Sequence, residues 1–316
     1  MPDFINTNVE KDVDIQRQYL VVKSNDLIQR SRYSMPLSLQ KAFAYILSLV
    51  RPPCESKKYN WPQELLTYSF DIRDYCKVCG INYSSGGSAL VQAKHSLKAL
   101  ADESIYIDIG NEKEILCRWI DDVEIDRKTK IVTIRLGKHL CPYLFNLKER
   151  FTEYELWNIL MMQSAYSIRL YELLKSYINM KEITFTVDEL RRYLYVHGSS
   201  CKKCRLRHSI QCLDCDAYKT SYTRFYDFNQ KILKYSVEEI NHLTDLLIGT
   251  EVITKGHSAE KIRFTIKEKP FINRYLQFNL INQNLNKPGK ERIKYHAKNH
   301  QNHDTKSGFD QNQSKS

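Results

Sequence analysis

No run of apolar residues in this chain comes near the roughly 18 that a membrane-spanning helix needs. No basic stretch followed by an apolar one opens it, so no signal peptide is expected and the expected compartment is the cytoplasm. A Gly-x-x-x-x-Gly-Lys-Ser/Thr loop is missing too: Gly289-Lys290 lacks the upstream glycine, which argues against an intrinsic P-loop ATPase. No His-x-His pair accompanies the 21 tyrosines. That argues against a metal-dependent tyrosine nickase, whose cation must polarise the scissile phosphate beside the nucleophile. Asp121-Asp122 and Glu238-Glu239 are adjacent carboxylates, but neighbours on a strand or helix point apart, so solvated surface is expected of them rather than a two-metal clamp. With no catalytic constellation, the expected activity is binding.

Acidic excess is also lacking. The 48 Lys+Arg outnumber 37 Asp+Glu, and the net charge of +11 favours a polyanionic partner. Hydrophobic residues make up 42% of the chain, enough for packed cores, which excludes global disorder. Nine cysteines, an odd count without an export signal, make disulfides unexpected; closely spaced ones read as metal ligands or buried thiols.

What is present is one pattern used twice. Residues 1–18 are polar and patternless, a flexible arm, and Tyr19–Val22 reads as a strand or clasp. Behind Ser38 as N-cap, Leu39, Ala42, Phe43, Ile46, Leu47 and Val50 follow helical spacing until Arg51-Pro-Pro53. A strand over 66–70 leads to Asp71 as cap of a short helix over 72–79, and a longer helix runs over about 88–102. Strands over 104–109, 117–125 and 131–136 follow, the last two joined by a charged tip that carries Lys128 and Lys130. Helix, strand, helix, turn, helix, hairpin is the winged-helix order. The second half repeats it: a helix over 152–179, a strand over 183–185, Thr186 capping a helix over 187–195, a helix over 221–247, and a hairpin over 250–266 whose tip runs from Lys255 to Lys261.

The expected fold is therefore α+β, with tandem winged-helix domains over 19–148 and 149–278 and a disordered basic tail over 279–316. The tail is rich in Asn, Gln, Lys and His and has too few large apolar residues to offset ordering entropy. Phe70-Asp71-Ile72 lies over Phe185-Thr186-Val187, and Ser96-Leu97 over Ser236-Val237. These markers are 26 positions apart in the first half and 51 in the second, so the second carries about 25 extra residues between its second and third helices.

The third helix of the second half organises the chain. On a wheel of about 100° per residue, Phe225, Phe228, Ile232, Leu233, Val237 and Ile240 share one half. Arg224, Asp227, Gln230, Lys231, Lys234 and Glu238 share the other. The polar row suits a DNA major groove, where Arg, Lys and Gln donate to base edges and phosphates; an ordinary solvated face has the same pattern.

Within the extra residues, about 198–220, Cys201-Lys-Lys-Cys204 and Cys212-Leu-Asp-Cys215 form a doubled CxxC, the donor set of a structural Zn²⁺ site. Lys202, Lys203, Arg205 and Arg207 offset its charge, and His208 can replace one ligand. Zinc would contribute on the order of 10 kcal/mol to folding a loop without a core of its own. Cys76-Lys-Val-Cys79 has no partner pair and reads as buried thiols.

Val21-Val-Lys-Ser-Asn-Asp-Leu27, the Leu-Ser-Leu-Gln-Lys-Ala-Phe43 helix, Ser167-Ile-Arg-Leu-Tyr-Glu-Leu-Leu174, Phe228-Asn-Gln-Lys-Ile-Leu233 and Glu239-Ile-Asn241 stand in an order that resembles the initiator replication proteins of iteron-type, theta-replicating plasmids, over about residues 19–268. The resemblance implies a second winged-helix domain that reads the major groove at repeated origin sites, and a first that touches backbone and mediates dimerisation. It implies opening of an A·T-rich origin region, recruitment of the host helicase and host initiator, and repression of the protein's own promoter by dimers. Carried over, Arg224, Asp227, Gln230 and Lys231 hold the reading positions, Asp227 either accepting from cytosine or orienting Arg224, while Lys255, Lys261, Lys128 and Lys130 bind phosphate. Asn229-Gln230-Lys231 stands where such proteins often carry several arginines, and the cysteine insertion is outside their general pattern. The rival readings are a plain transcription regulator, a tyrosine nickase and a zinc-braced protein-interaction module.

Overall fold

The computed structural model describes residues 12–50, 66–81, 88–145, 147, 150–196, 222, 224–287 and 291. Its first element corrects the expectation of an arm over 1–18 for residues 12–18; residues 1–11 lie outside the described residues. Helix α1 (Val13–Arg17) is capped by Asp12, whose carboxylate accepts from Asp14 N. It is held because the buried Arg17 guanidinium donates to Val78 O and Lys77 O, each at 2.9 Å, to Asn286 Oδ1 at 2.7 Å, and to Asn282 Oδ1. Four acceptors repay the desolvation of the one charge.

Strand β1 (Leu20–Ser24) is the clasp. It pairs antiparallel with β8 (Phe151–Glu155), from Leu20 opposite Glu155 to Ser24 opposite Phe151, and so joins the two halves of the chain. The single helix expected over 152–179 is therefore wrong. Alternation buries Thr152 and Tyr154 in β8, after which come α7 (Trp157–Leu160) and α8 (Ala165–Lys175), the latter capped by the Ser164 hydroxyl. A buried threonine hid the two-residue period.

In the first unit Ser24 caps α2 (Asn25–Arg30), and β2 (Ser31–Arg32) leads to α3 (Leu37–Leu49). α3 starts before Ser38, with Pro36 at the cap. Its expected inward residues are buried, and so are Ala44, Tyr45 and Ser48, because α3 is packed on more than one side: the Tyr45 ring meets those of Phe70 and Tyr75, each at 5.2 Å. Then come β3 (Thr67–Asp71), α4 (Ile72–Val78), α5 (Ser88–Asp102), β4 (Ser104–Gly110), β5 (Lys113–Arg118), β6 (Ile120–Ile125), β7 (Ile131–Leu136) and α6 (Cys141–Phe145). The strand expected over 117–125 is two strands. It breaks at Trp119, 1% exposed, whose indole meets the rings of Tyr33 and Phe43 edge-on at 4.8 and 4.5 Å.

The second unit continues with β9 (Glu182–Thr186), α9 (Val187–Tyr193), α10 (Phe225–Phe228), a π-helical turn (Asn229–Lys234), α11 (Tyr235–Leu243), β10 (Leu246–Lys255) and β11 (Ser258–Glu268). The repeat is visible in the sheets: order β3-β7-β6 in the first unit, β9-β11-β10 in the second. Phe70 pairs with Val132, and Phe185 with Ile262, so the strand before the second helix lies against the second wing strand in both. Asp71 and Thr186 cap α4 and α9 as expected, Thr186 in a full capping box with Glu189.

Between the units, Lys23 Nζ reaches Glu172 Oε1 at 2.6 Å, both buried, and Tyr154 Oη donates to the same oxygen at 2.5 Å. Arg169 donates to Ser31 O and Tyr193 O and lies 4.1 Å over the Tyr33 ring. Helix α12 (Phe271–Asn286) runs into the stretch expected to be a disordered tail from 279. Ile281 and Leu285 are each 3% exposed, and Asn282 and Asn286 receive Arg17, which orders the last two turns.

Candidate nucleic-acid interface

The organising helix folds as its wheel requires. Phe228, Ile232, Leu233, Val237 and Ile240 are buried and Phe225 is half-buried, while Arg224, Lys231 and Lys234 are exposed and Asp227, Gln230 and Glu238 are partly so. It ends at Leu243, earlier than the expected 247. Thr244 Oγ1 donates back to Ile240 O, and the Asn241 amide pairs with both backbone groups of Ile248, at 2.9 and 2.6 Å, as a strand would. The π turn over Asn229–Lys234 shares its residues with the polar row. It contains neither Gly nor Pro, so nothing in the sequence announced it; such turns cluster at functional sites.

Arg224 holds the N-cap position, with its guanidinium 2.9 Å from Asp227 Oδ2. Lys231 Nζ lies 3.7 Å from Asp227 Oδ1 and 5.9 Å over the Tyr222 ring. Asp227 thus sits between two cations, the geometry of a residue that orients them.

The second wing has strands of ten and eleven residues, longer than expected, with a bulge at Ile253/Thr254 and a tip at Gly256-His257. Gly256 has φ +62°, a left-handed turn that glycine takes without strain. Lys255 is exposed at the tip, whereas Lys261 is not a tip residue: it lies on the central strand opposite Thr186. There its charge, after the hydrogen bonds from Thr186 backbone and side chain, helps hold the Glu189 carboxyl below its usual range.

The first unit's wing tip is compact. Asp126 accepts from Lys128 N at 2.7 Å and Thr129 N at 3.2 Å, and Lys130, at φ +67°, folds its ammonium onto Arg127 O at 2.5 Å. Lys128 projects, while Lys130 does not. Arg127 projects beside Lys128, a cation missed in the sequence because the turn geometry that exposes it was not read. On α5 the exposed groups are Ser88, Val91, Gln92, His95, Lys98 and Asp102.

The doubled CxxC of Cys201, Cys204, Cys212 and Cys215 lies outside the described residues. Its flanks converge on one arginine: Val196 N donates to Arg191 O at 3.0 Å, and Arg191 Nη2 donates to Tyr222 O at 2.9 Å. That guanidinium also lies 5.2 Å over Phe228, the first buried residue of the organising helix. Among the described residues no group of three or more His, Cys, Asp or Glu is placed to hold a metal. Cys76 and Cys79 are thiols pushed up by burial to about 11 and about 12, protonated at neutral pH. One carboxylate expectation fails. Glu239 is fully buried, its Oε1 accepting from Gln163 N at 2.5 Å and its pKa raised by burial; Asp121 and Asp122 are exposed as expected. No described helix is long and apolar enough to cross a membrane.

Comparison with known proteins gives concordant results. Residues 20–175 match the profile described as Initiator Replication protein, WH1, and residues 206–266 that described as Initiator Rep protein, WH2. A replication initiation protein of Escherichia coli is 22% identical over 256 residues, which cover 79% of this chain and 70% of that protein. The Pi initiator protein, solved in complex with iteron DNA, is 19% identical with a TM-score of 0.60, covering 80% of this chain and 98% of that one; the likeness is one of fold.

Proposed function

The chain belongs to the initiator replication protein family, and from that premise we propose that it starts plasmid DNA replication by binding repeated origin sites through its second winged-helix unit. The observation that carries the reading is the row of exposed Arg224, Lys231 and Lys234 with half-exposed Gln230, on a helix whose opposite face is buried in the core. Arg224, Gln230 and Lys231 donate to base edges, and Asp227 orients Arg224 and Lys231. Lys255 at the second tip, exposed Lys261 further along the same wing, and Arg127 with Lys128 at the first tip bind phosphate; Lys130, folded onto Arg127 O, contributes less. The protein acts by binding and not by catalysis, in the cytoplasm.

Footprinting on the DNA that flanks its own gene tests this. Protected direct repeats with a helical period are expected, and a single protected operator would favour a plain transcription regulator. Incubation with supercoiled origin DNA and Mg²⁺ should leave no covalent 5′ adduct, since an adduct would mean a nickase. DNA affinity independent of sequence would leave only the interaction-module reading.

The finer parts of the proposal follow the family. Dimers repress the promoter, the first unit carries the dimer contact, and the bound protein recruits the host helicase and host initiator. Zn²⁺ on Cys201, Cys204, Cys212 and Cys215 braces the segment anchored at Arg191 and so steadies the start of the reading helix. Metal analysis of the purified protein should find one zinc per chain, lost in Cys204→Ser; no zinc in either sample would end that idea.

A further inference from the structure

The junction of the two units contains a cavity of about 390 Å³, apart from the row of Arg224, Gln230, Lys231 and Lys234. α3 contributes Leu37, Ser38 and Lys41, the end of α4 Cys79, the connector between the units Leu160, and α12 Leu285. Its volume is that of a small-molecule site, and its wall is mostly apolar. The one lysine in that wall is Lys41. Lys41 Nζ donates to Leu160 O at 2.7 Å, and no salt bridge to it forms among the described residues. An ammonium has three hydrogens to place, so one acceptor leaves it short. Glu239, which attracts it, is engaged with Gln163 N and has its own pKa raised by burial. Burial lowers Lys41 to about 8, with the charge of Glu239 opposing it, so the group is still largely charged at neutral pH. A partly buried ammonium with one acceptor and no ion pair among the described residues costs free energy.

We propose that this cavity binds a small organic monoanion, a carboxylate or sulfonate on an aromatic or aliphatic body, with its charge on Lys41 and its body between Leu37, Leu160 and Leu285. Because the wall is drawn from the first unit, the connector and α12, the bound molecule favours the arrangement of the units described above. Its affinity and that of DNA are then linked reciprocally.

The test uses the full chain and two fluorescent probes, anilinonaphthalene sulfonate and its uncharged analogue phenylnaphthylamine. Wild type should bind one sulfonate per chain, at least tenfold more tightly than the amine. Lys41→Met should erase that gap, and Lys41→Arg should keep most of it. Leu276→Glu with Leu280→Glu, on the exposed apolar side of α12, should leave the tight site intact. Circular dichroism shows whether each variant is folded, and Lys41→Gln serves if the methionine variant is not. Equal binding of the two probes to wild type, a gap that survives Lys41→Met in folded protein, or loss of the site in the α12 variant would each overturn the proposal.

Discussion

The two winged-helix units share a frame and differ in what they present. Strand order, the capped second helix and the buried Leu97/Leu100 and Val237/Ile240 pairs coincide. The offset that aligns Ser96 with Ser236 sets Val91, 62% exposed, where the second unit has Lys231, and exposed Gln92 where it has buried Ile232. The second unit's third helix is thus anchored deeper at its start and offers more donors. Its wing strands have ten and eleven residues against six and six. The shared positions fold the units, and the unshared ones carry the second unit's row of Arg224, Lys231 and Lys234, which the first unit lacks.

The comparison breaks most visibly at the anchor. Phe228→Ala, at a fully buried site, should cost about 3–5 kcal/mol in chemical denaturation; a loss under about 1 kcal/mol would mean the start of the helix is not anchored. Next is the junction. Lys41→Met should raise stability at neutral pH by up to about 3 kcal/mol, since the lysine falls from 10.5 to about 8 on folding. In that window the unfolded chain holds a proton that the native one has lost, so the lysine makes stability rise with pH between about 8 and 10.5. The variant should lack that component, and an unchanged profile would show Lys41 to be unstrained.

Binding then separates the units. Arg224→Ala should cost about 1–3 kcal/mol on specific DNA and relax sequence preference, as should Lys231→Val, which installs the first unit's residue. Lys98→Ala on α5 should weaken all sequences alike and reduce the salt slope by about 1. Equal losses on specific and random DNA for Arg224→Ala would remove the distinction. The smallest effect concerns the caps: Thr186→Ala and Asp71→Ala should each cost about 1 kcal/mol by thermal melting. The contribution of Glu189, whose native pKa is depressed, is present above the ordinary carboxylate range and is lost as pH falls through its lowered value. Thr186→Ala should blunt that acid sensitivity, and Asp71→Ala should remove a separate part of it, because Asp71, although burial pushes it up, is held below its ordinary value by hydrogen bonds from Arg73.

The sequence shows the repeated frame because each part of it is local. A cap sits beside its helix, and inward residues recur within a turn, as with Asp71, Thr186 and the 39–47 series. What it conceals depends on distant partners. Arg17 is ordered by Asn282, Phe151–Glu155 becomes a strand because Leu20–Ser24 lies beside it, and Glu239 is buried because Gln163 meets it. The reading row was legible as a face, but the pairing of Asp227 with Arg224 and Lys231 and the inward turn of Lys130 were not, since both follow from turn geometry.

The pairing of β1 with β8 also bears on synthesis. Leu20 leaves the ribosome 131 residues before Phe151. At about 5–20 residues per second, the first strand waits about 7–26 s with its backbone donors and acceptors unmatched. During that interval the nascent chain offers an open edge to any other extended segment nearby. Translation speed across residues 24–151 therefore sets how long the newborn protein is exposed to mispairing.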